Sequence, residues 1–277
     1  MEKNCFLLDG AMGTSLWAKA EKQLPVWRYN TECPEIVSEL HREYIEAGSD
    51  YIFTNTFSAN RDNVAKSGYS VAEVVKKGVE LAKKAAEGTN TKVVLDIGPL
   101  SELLEPYGDL EEEDAIEIYE EQIGAGAEME PDVILFETFM DKEMLRIAVS
   151  VAERYNVPIW CSMSFDQHGR TMMGNSVKDM IDTLSEFKVE AVGLNCSLGP
   201  DLAVPVIAQF KEYTDLPLIF KPNAGKNTIK DGKVITEFSV ETFVEDAVAS
   251  LEHGVKYLGG CCGSSPEYIK AMKEKLN

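Results

Sequence analysis

Histidine is nearly missing from this chain, with three in 277 residues. Catalysis through imidazole, whether as acid, base or ligand of a hydrolytic zinc, leans on that side chain. None of the three sits where it would serve. His41 falls inside a stretch with helical periodicity, and His253 closes another, where a cation suits the helix dipole. His168 lies in the turn Asp166-Gln-His-Gly169. All three read as structural. Positive charge is scarce as well: 27 Lys and Arg face 47 Asp and Glu, a net charge of −20. So acidic a surface repels phosphate backbones and anionic headgroups, so neither nucleic acid nor membrane is expected as a partner. Solubility is the plain reading of the excess. Long apolar runs are absent. The N-terminal one stops at Asp9, too soon for a signal peptide, and no stretch reaches the length of a membrane span. A cytoplasmic location is expected. Cysteine is present but not dense: Cys5, Cys33, Cys161, Cys196, Cys261 and Cys262 are scattered through a chain long enough to bury a core without staples. In a reducing compartment such cysteines are core residues, metal ligands or catalytic thiols. No linker or low-complexity tract appears, so one domain is expected over residues 1–277, with no second domain.

What recurs is a short apolar, β-rich run followed by an amphipathic stretch. The runs are Phe6–Asp9, Tyr51–Thr54, Lys92–Asp96, Val133–Glu137, Ile159–Phe165, Ala191–Asn195, Leu218–Lys221 and Tyr257–Gly260. Helical periodicity follows over Glu35–Ala47, Val71–Ala86, Glu111–Glu128, Asp141–Tyr155, Val177–Phe187, Leu202–Tyr213, Val240–His253 and Pro266–Leu276. Near-continuous apolar strands alternating with such helices predict a parallel sheet. Eight repeats predict a closed (β/α)8 TIM barrel. Pro34 and Pro266 suit first helical turns, and Gly48 and Gly254 suit left-handed caps. Glu111-Glu-Glu-Asp114 opens a helix, where negative charge meets the dipole. Residues Trp17–Cys33 are poorly patterned and read either as a lid or as a packed surface loop.

In this fold chemistry gathers at the C-terminal strand tips. The tips carry Asp9 with Gly10, Ala11, Met12 and Gly13; Thr54-Asn55-Thr56; Asp96; Glu137; Asn195-Cys196; Pro222-Asn223-Ala-Gly225; and Gly259-Gly-Cys261-Cys262-Gly263. Three cysteines thus share one rim. Adjacent strand residues point to opposite faces, so Cys261 and Cys262 converge only if the chain leaves strand geometry, a freedom expected of Gly259, Gly260 and Gly263. A disulfide or buried apolar cysteines are the other readings. Three thiolates with a fourth position open form a catalytic rather than a structural zinc pattern. Such a zinc is a poor Lewis acid but binds and deprotonates a further thiol, which suits alkyl transfer to sulfur. Asp9 and Glu137 then suit an ammonium group and the Gly10–Gly13 backbone a carboxylate: an amino acid bearing a thiol. A turn cap for Asp9 and a barrel ion pair for Glu137 are the plainer readings.

Leu8-Asp-Gly-Ala-Met-Gly-Thr14, Thr54-Asn-Thr-Phe57, Asp96-Ile-Gly-Pro99, Glu137-Thr-Phe139, Gly193-Leu-Asn-Cys-Ser-Leu-Gly-Pro200, Pro222-Asn-Ala-Gly225 and Gly259-Gly-Cys-Cys-Gly263 resemble, nearly end to end, the homocysteine-binding barrel of the homocysteine S-methyltransferase family. The resemblance implies zinc on Cys196, Cys261 and Cys262 with the homocysteine sulfur as fourth ligand. It also implies Asp9 and Glu137 at the substrate amine and the loop after Asp9 at its carboxylate. Asn195 is expected among the substrate contacts, and Thr54, Asn55 and Asn223 behind them. Thr54-Asn-Thr-Phe-Ser58 is most similar to the cobalamin-dependent methionine synthase branch; betaine-dependent relatives carry an aromatic residue at the place of Ser58. A methylated corrinoid on a separate protein is therefore the expected donor, because Asp166-Gln-His-Gly-Arg-Thr171 lacks the final glycine of a corrinoid-binding loop. A small sulfonium such as S-methylmethionine is the alternative donor. A non-catalytic zinc- or thiol-binding protein is the alternative class.

Overall fold

The computed structural model describes residues 4–225, 228–230, 233–235 and 238–277. In chain order its strands are β1 (Phe6–Leu7), β2 (Tyr51–Phe53), β3 (Lys92–Ile97), β4 (Val133–Phe139), β5 (Ile159–Met163), β6 (Val189–Asn195), β7 (Leu218–Lys221), β8 (Thr228–Lys230), β9 (Lys233–Ile235) and β10 (Val255–Leu258). Strands β8 and β9 form an antiparallel hairpin. The other eight make one parallel sheet in the order β1-β10-β7-β6-β5-β4-β3-β2. Three short helices, α1 (Gly13–Lys19), α2 (Tyr29–Glu32) and α4 (Arg61–Val64), lie in the first two connections after a strand. The outer ring is α3 (Pro34–Ala47), α5 (Val71–Ala86), α6 (Glu112–Ala127), α7 (Lys142–Ala152), α8 (Val177–Leu184), α9 (Pro200–Gln209), α10 (Val240–Ala249) and α11 (Pro266–Leu276). The expected (β/α)8 barrel is the fold.

Local chemistry sets the helix ends. Pro34 opens α3, and Gly48, at φ 105°, closes it in the left-handed conformation that glycine adopts without penalty. Ser176 and Asp179 form a reciprocal capping box on α8. The Glu112–Asp114 acids lie in the first turn of α6, as expected for a structural role.

The two ends of the sheet meet at a seam without a regular ladder. Asp50 N–H donates to Leu7 O at 2.7 Å and Asp50 Oδ2 accepts from Leu7 N–H at 2.7 Å. Higher up, Asp9 Oδ2 accepts from Phe53 N–H at 2.7 Å, a carboxylate taking the place of a strand carbonyl.

Period-two alternation divides the strands between two cores. One lies between sheet and helices; the other, with Leu8, Phe53, Val94, Leu135, Trp160, Ala191 and Ile219, fills the barrel. Phe6, Tyr51, Trp160 and Tyr257 plug it near the N-terminal ends of the strands, the last two rings 4.0 Å apart. At Gly193 an added Cβ would lie 1.9 Å from Ile219 O, so the barrel wall tolerates no side chain there. Two residues beyond Val94, Leu135 and Ile219, the same inward parity places Asp96, Glu137 and Lys221.

Candidate active site

The cysteines are positioned by the loop after β7. Cys196 N–H donates to Lys221 O at 3.1 Å, Cys261 N–H to Pro222 O at 2.8 Å, and Ala224 N–H to Cys262 O at 2.9 Å. Cys196 and Ser197 are both left-handed, at φ 63° and 59°. Each such residue costs on the order of 1–3 kcal/mol and persists only where its surroundings hold it; Ser197 Oγ lies 2.5 Å from Ser164 Oγ. The expected role of the glycines is corrected in part. Gly263 has a positive φ of 83°, but Gly259 and Gly260 are needed for close approach. A Cβ there would lie 2.7 Å from Asp9 O and 2.3 Å from Ser264 Oγ respectively.

The three sulfurs lie within 4.8 Å of one another, with Cys196 Sγ 3.9 Å from Cys262 Sγ. Sulfurs bound tetrahedrally to zinc at about 2.3 Å stand ~3.8 Å apart, whereas a disulfide needs about 2.05 Å. None of the six cysteines is in a disulfide among the described residues. The spacing fits a shared cation. For Cys196 a hydrogen bond with Cys261 works to lower the pKa, but contact with Cys262 and burial push it up to about 11. For Cys262 contact with Cys196 is likewise outweighed, by Cys261 and burial, and it reaches about 12. Hydrogen bonding to Cys196, burial and neighbouring negative charge hold Cys261 well above the usual thiol range. The trio suits a cation that ionises all three.

Beside the cysteines is a cavity of about 340 Å³. Gly10, Ala11, Met12, Gly13 and Thr14 form one wall; Thr54, Asn55, Phe57 and Ser58 another; Asp96, Glu137, Thr138 and Lys221 the floor. Trp17 and Trp27 also face it, so the Trp17–Cys33 segment, partly helical, walls the cavity. Trp27 is buried, and Trp17 Nε1 donates to Leu24 O at 2.9 Å. A larger cleft near Tyr155, Pro158, Lys188 and Glu190 lies at the opposite end of the barrel and contains no cysteine.

Lys221 is the residue that sequence reasoning missed. It is 3 % exposed. Its Nζ lies 3.4 Å from Glu137 Oε2, 3.5 Å from Asp9 Oδ1 and 3.5 Å from the Phe53 ring centroid. Burial alone would lower its pKa, but Glu137 and Asp9 hold it above the usual lysine value. Asp9 is pushed up to about 7, burial outweighing the opposite pull of Lys221. Neither acid therefore waits unpaired for an ammonium, as the strand-tip pattern alone suggested. Strand parity from Ile219 was the signal that could have found Lys221.

Asn195 was expected among the substrate contacts, but its side chain is spent on the protein. Oδ1 accepts from Thr138 N–H at 2.8 Å and Ser162 Oγ at 2.7 Å; Nδ2 donates to Thr138 Oγ1 at 2.7 Å and faces Cys261 Sγ at 3.8 Å. Both lone pairs and both protons are used, and Thr138 is held at φ 65°. Asn55 is similarly tied to Val26 O and Asn30 Oδ1, and Thr54 Oγ1 accepts from Asp96 N–H at 3.1 Å. Asn223 has a buried Oδ1 without a partner among the described residues. In the Gly10–Gly13 loop, Ala11 N–H is taken by Ser264 O at 3.0 Å, while α1 begins at Gly13, where the first N–H groups have no partner within the helix. His41 is buried in α3, His253 precedes the left-handed Gly254, and His168 is exposed.

A model of the family described as homocysteine S-methyltransferase matches residues 6–276. Homocysteine S-methyltransferase 1 of Brassica oleracea is 27% identical over 307 residues, 98% of this chain and 93% of that protein. Methionine synthases of Mycobacterium leprae and Mycobacterium tuberculosis are 27% and 28% identical over 290 residues. The match spans 95% of this chain but 24% of theirs. Among solved structures, the metallated form of the homocysteine methyltransferase MmuM from Escherichia coli superposes with a TM-score of 0.85 at 23% identity, over 99% of this chain and 97% of that one. That likeness shows the shared fold.

Proposed function

The chain belongs to the homocysteine S-methyltransferase family, and we propose that it transfers a methyl group to the sulfur of homocysteine, giving methionine, with zinc held by Cys196, Cys261 and Cys262. The observation that carries this reading is the trio of sulfurs within 4.8 Å, opening onto a cavity floored by carboxylates. Zinc bound there supplies one thing, the deprotonation of an incoming thiol, so that sulfur stays nucleophilic at neutral pH. The chain does the rest. Glu137 presents a carboxylate to the substrate ammonium. The N–H groups at the start of α1, in the Gly10–Thr14 wall, meet its carboxylate. Asn195 and the β7 loop hold the cysteines in place. As the carbon–sulfur bond forms, the bond from the methyl carbon to its donor breaks and the donor keeps that electron pair.

The donor is a methylated corrinoid carried by a separate protein. Support comes from the mouth of the barrel. Trp17, Leu103, Tyr107, Met172 and Leu202 all lie after strand tips on this rim and are 41% to 84% exposed. Exposed apolar side chains on the loops of that rim suit a protein partner. A small sulfonium is the second reading, favoured by the faces of Trp17, Trp27 and Phe57 on the cavity, since aromatic faces attract such cations. The test is purified zinc-loaded protein with homocysteine, offered methylcobalamin, S-methylmethionine and betaine in parallel. Zinc-dependent methionine from methylcobalamin is expected. Faster turnover of S-methylmethionine by orders of magnitude would replace the corrinoid, and binding without turnover of any donor would point to a non-catalytic thiol-binding protein.

A further inference from the structure

With homocysteine taken as the substrate, as proposed for this site, we infer that Asn30 and Asn55 are positioning residues: their two side-chain amides lock the Trp17–Cys33 segment in place as a permanent wall of the cavity, so that Val26 and Trp27 stand ready before any substrate arrives.

The segment is tied both to itself and to the barrel. Within it, Trp17 Nε1 donates to Leu24 O at 2.9 Å, Leu24 N–H to Tyr29 Oη at 3.0 Å, and Tyr29 Oη to Lys22 O at 2.8 Å. A pair of buried asparagines makes the link to the barrel. Asn30, in α2, donates from Nδ2 to Asn55 O at 2.8 Å and to Val74 O of α5 at 3.2 Å. Asn55, past the tip of β2, donates from Nδ2 to Val26 O at 2.7 Å and to Asn30 Oδ1 at 2.9 Å. All the amide protons of both side chains are used, and Asn55 O, Val74 O and Val26 O are carbonyls that can only accept, so each amide has one orientation. Gly78 of α5 leaves room for this approach: a Cβ there would lie 2.8 Å from Asn30 Nδ2.

The clamp acts at one remove. Asn30 does not line the cavity, whereas Val26 and Trp27 do. Asn55 Nδ2 holds the carbonyl of Val26, the first residue of the short 3-10 turn Val26–Arg28 that carries Trp27. A lid made of this segment would break these buried hydrogen bonds each time it opened, and every buried group left without a partner is costly. A wall ordered during folding adds nothing to the ordering cost of binding. A loosened wall would have to be ordered by the ligand, and affinity would fall accordingly.

The experiment is hydrogen exchange, read by mass spectrometry over residues 20–33 of zinc-loaded protein with and without L-homocysteine, beside calorimetric titration of that amino acid. In wild type these amides should exchange slowly and at the same rate in both states. Asn30→Leu is close in volume but makes none of the Asn30 bonds. It should speed exchange of the ligand-free segment by about tenfold or more and regain protection when homocysteine binds. Its affinity for homocysteine should fall by about tenfold with zinc content unchanged. Asn30→Asp, which keeps the acceptor for Asn55 and loses only the bonds that Asn30 donates, should fall between the two. Ser176→Ala removes the cap of α8 and should change neither readout, whereas a general loss of stability would move it with the others. If the wild-type segment exchanges fast without ligand and slows on binding, it is a lid and the clamp is refuted. The same holds if neither Asn30 variant alters exchange or affinity. Exchange in the ligand-free protein needs no substrate, so a wild type that fails to bind homocysteine would overturn the homocysteine reading while the clamp is still decided by exchange.

Discussion

Lys221→Met removes the cation held between Asp9 and Glu137 while keeping most of the volume of the stem, so its effect is one of charge rather than of a cavity. Nζ stands 3.5 Å and 3.4 Å from the two carboxylates in a side chain 4% exposed. Unit charges at this separation attract by about 4 kcal/mol at the effective dielectric of a protein surface, less what burial of the lysine costs. Removing one partner of a buried pair typically costs about 3–5 kcal/mol, and that loss is expected at about pH 8.5. The loss should depend on pH. Asp9, already pushed up to about 7 with Lys221 present, rises further without it. The native variant then retains protons that the unfolded chain has released, so its stability falls as pH rises from about 4 through 7 and beyond. Near pH 4.5 the deficit should shrink to about half or less, because the folded Asp9 carboxyl is protonated there. Urea unfolding followed by circular dichroism at both pH values measures it. A deficit that is the same at both, or below about 1 kcal/mol at the higher one, would mean that Lys221 is not the counter-charge described here.

Cys196→Ala and Cys262→Ala should each lose the zinc, while the metal-free variants unfold within about 1 kcal/mol of metal-free wild type, since these side chains sit on the rim rather than in the core; metal analysis and urea melts check both halves. Glu137→Gln should weaken homocysteine binding by about tenfold or more with zinc content unchanged, as read by calorimetry. His41 is buried without a hydrogen-bond partner among the described residues, and burial lowers its pKa from 6.5 to about 4. It stays neutral in the fold while the unfolded chain takes up a proton, so a contribution of about 3 kcal/mol, present above pH 6.5, is lost as pH falls through 4. His41→Leu should flatten that acid limb of the stability curve.

Much of the fold was legible because period-two and helical apolar patterns report burial directly, and eight repeats of the pair leave few topologies. The cysteine trio was legible for the same reason: strand tips share one rim. Other features required coordinates. Lys221 reads as the last residue of an apolar run, yet parity carries it inward beside two acids far away in sequence. The Trp17–Cys33 segment has weak periodicity because its helices are one or two turns long, yet it supplies two tryptophans to the cavity. Gly259 and Gly260 suggested a flexible backbone; the tight neighbours that demand them come from Asp9 and Ser264.

The account centres on sulfur coordination, and X-ray absorption at the zinc edge tests it most directly. Zinc-loaded protein alone should show three sulfur neighbours at about 2.3 Å and one lighter atom. After L-homocysteine is added, four sulfurs should replace that set. A first shell that stays at three sulfurs with the amino acid bound, or one that never contained three, would contradict the reading of Cys196, Cys261 and Cys262 as the site where homocysteine is activated.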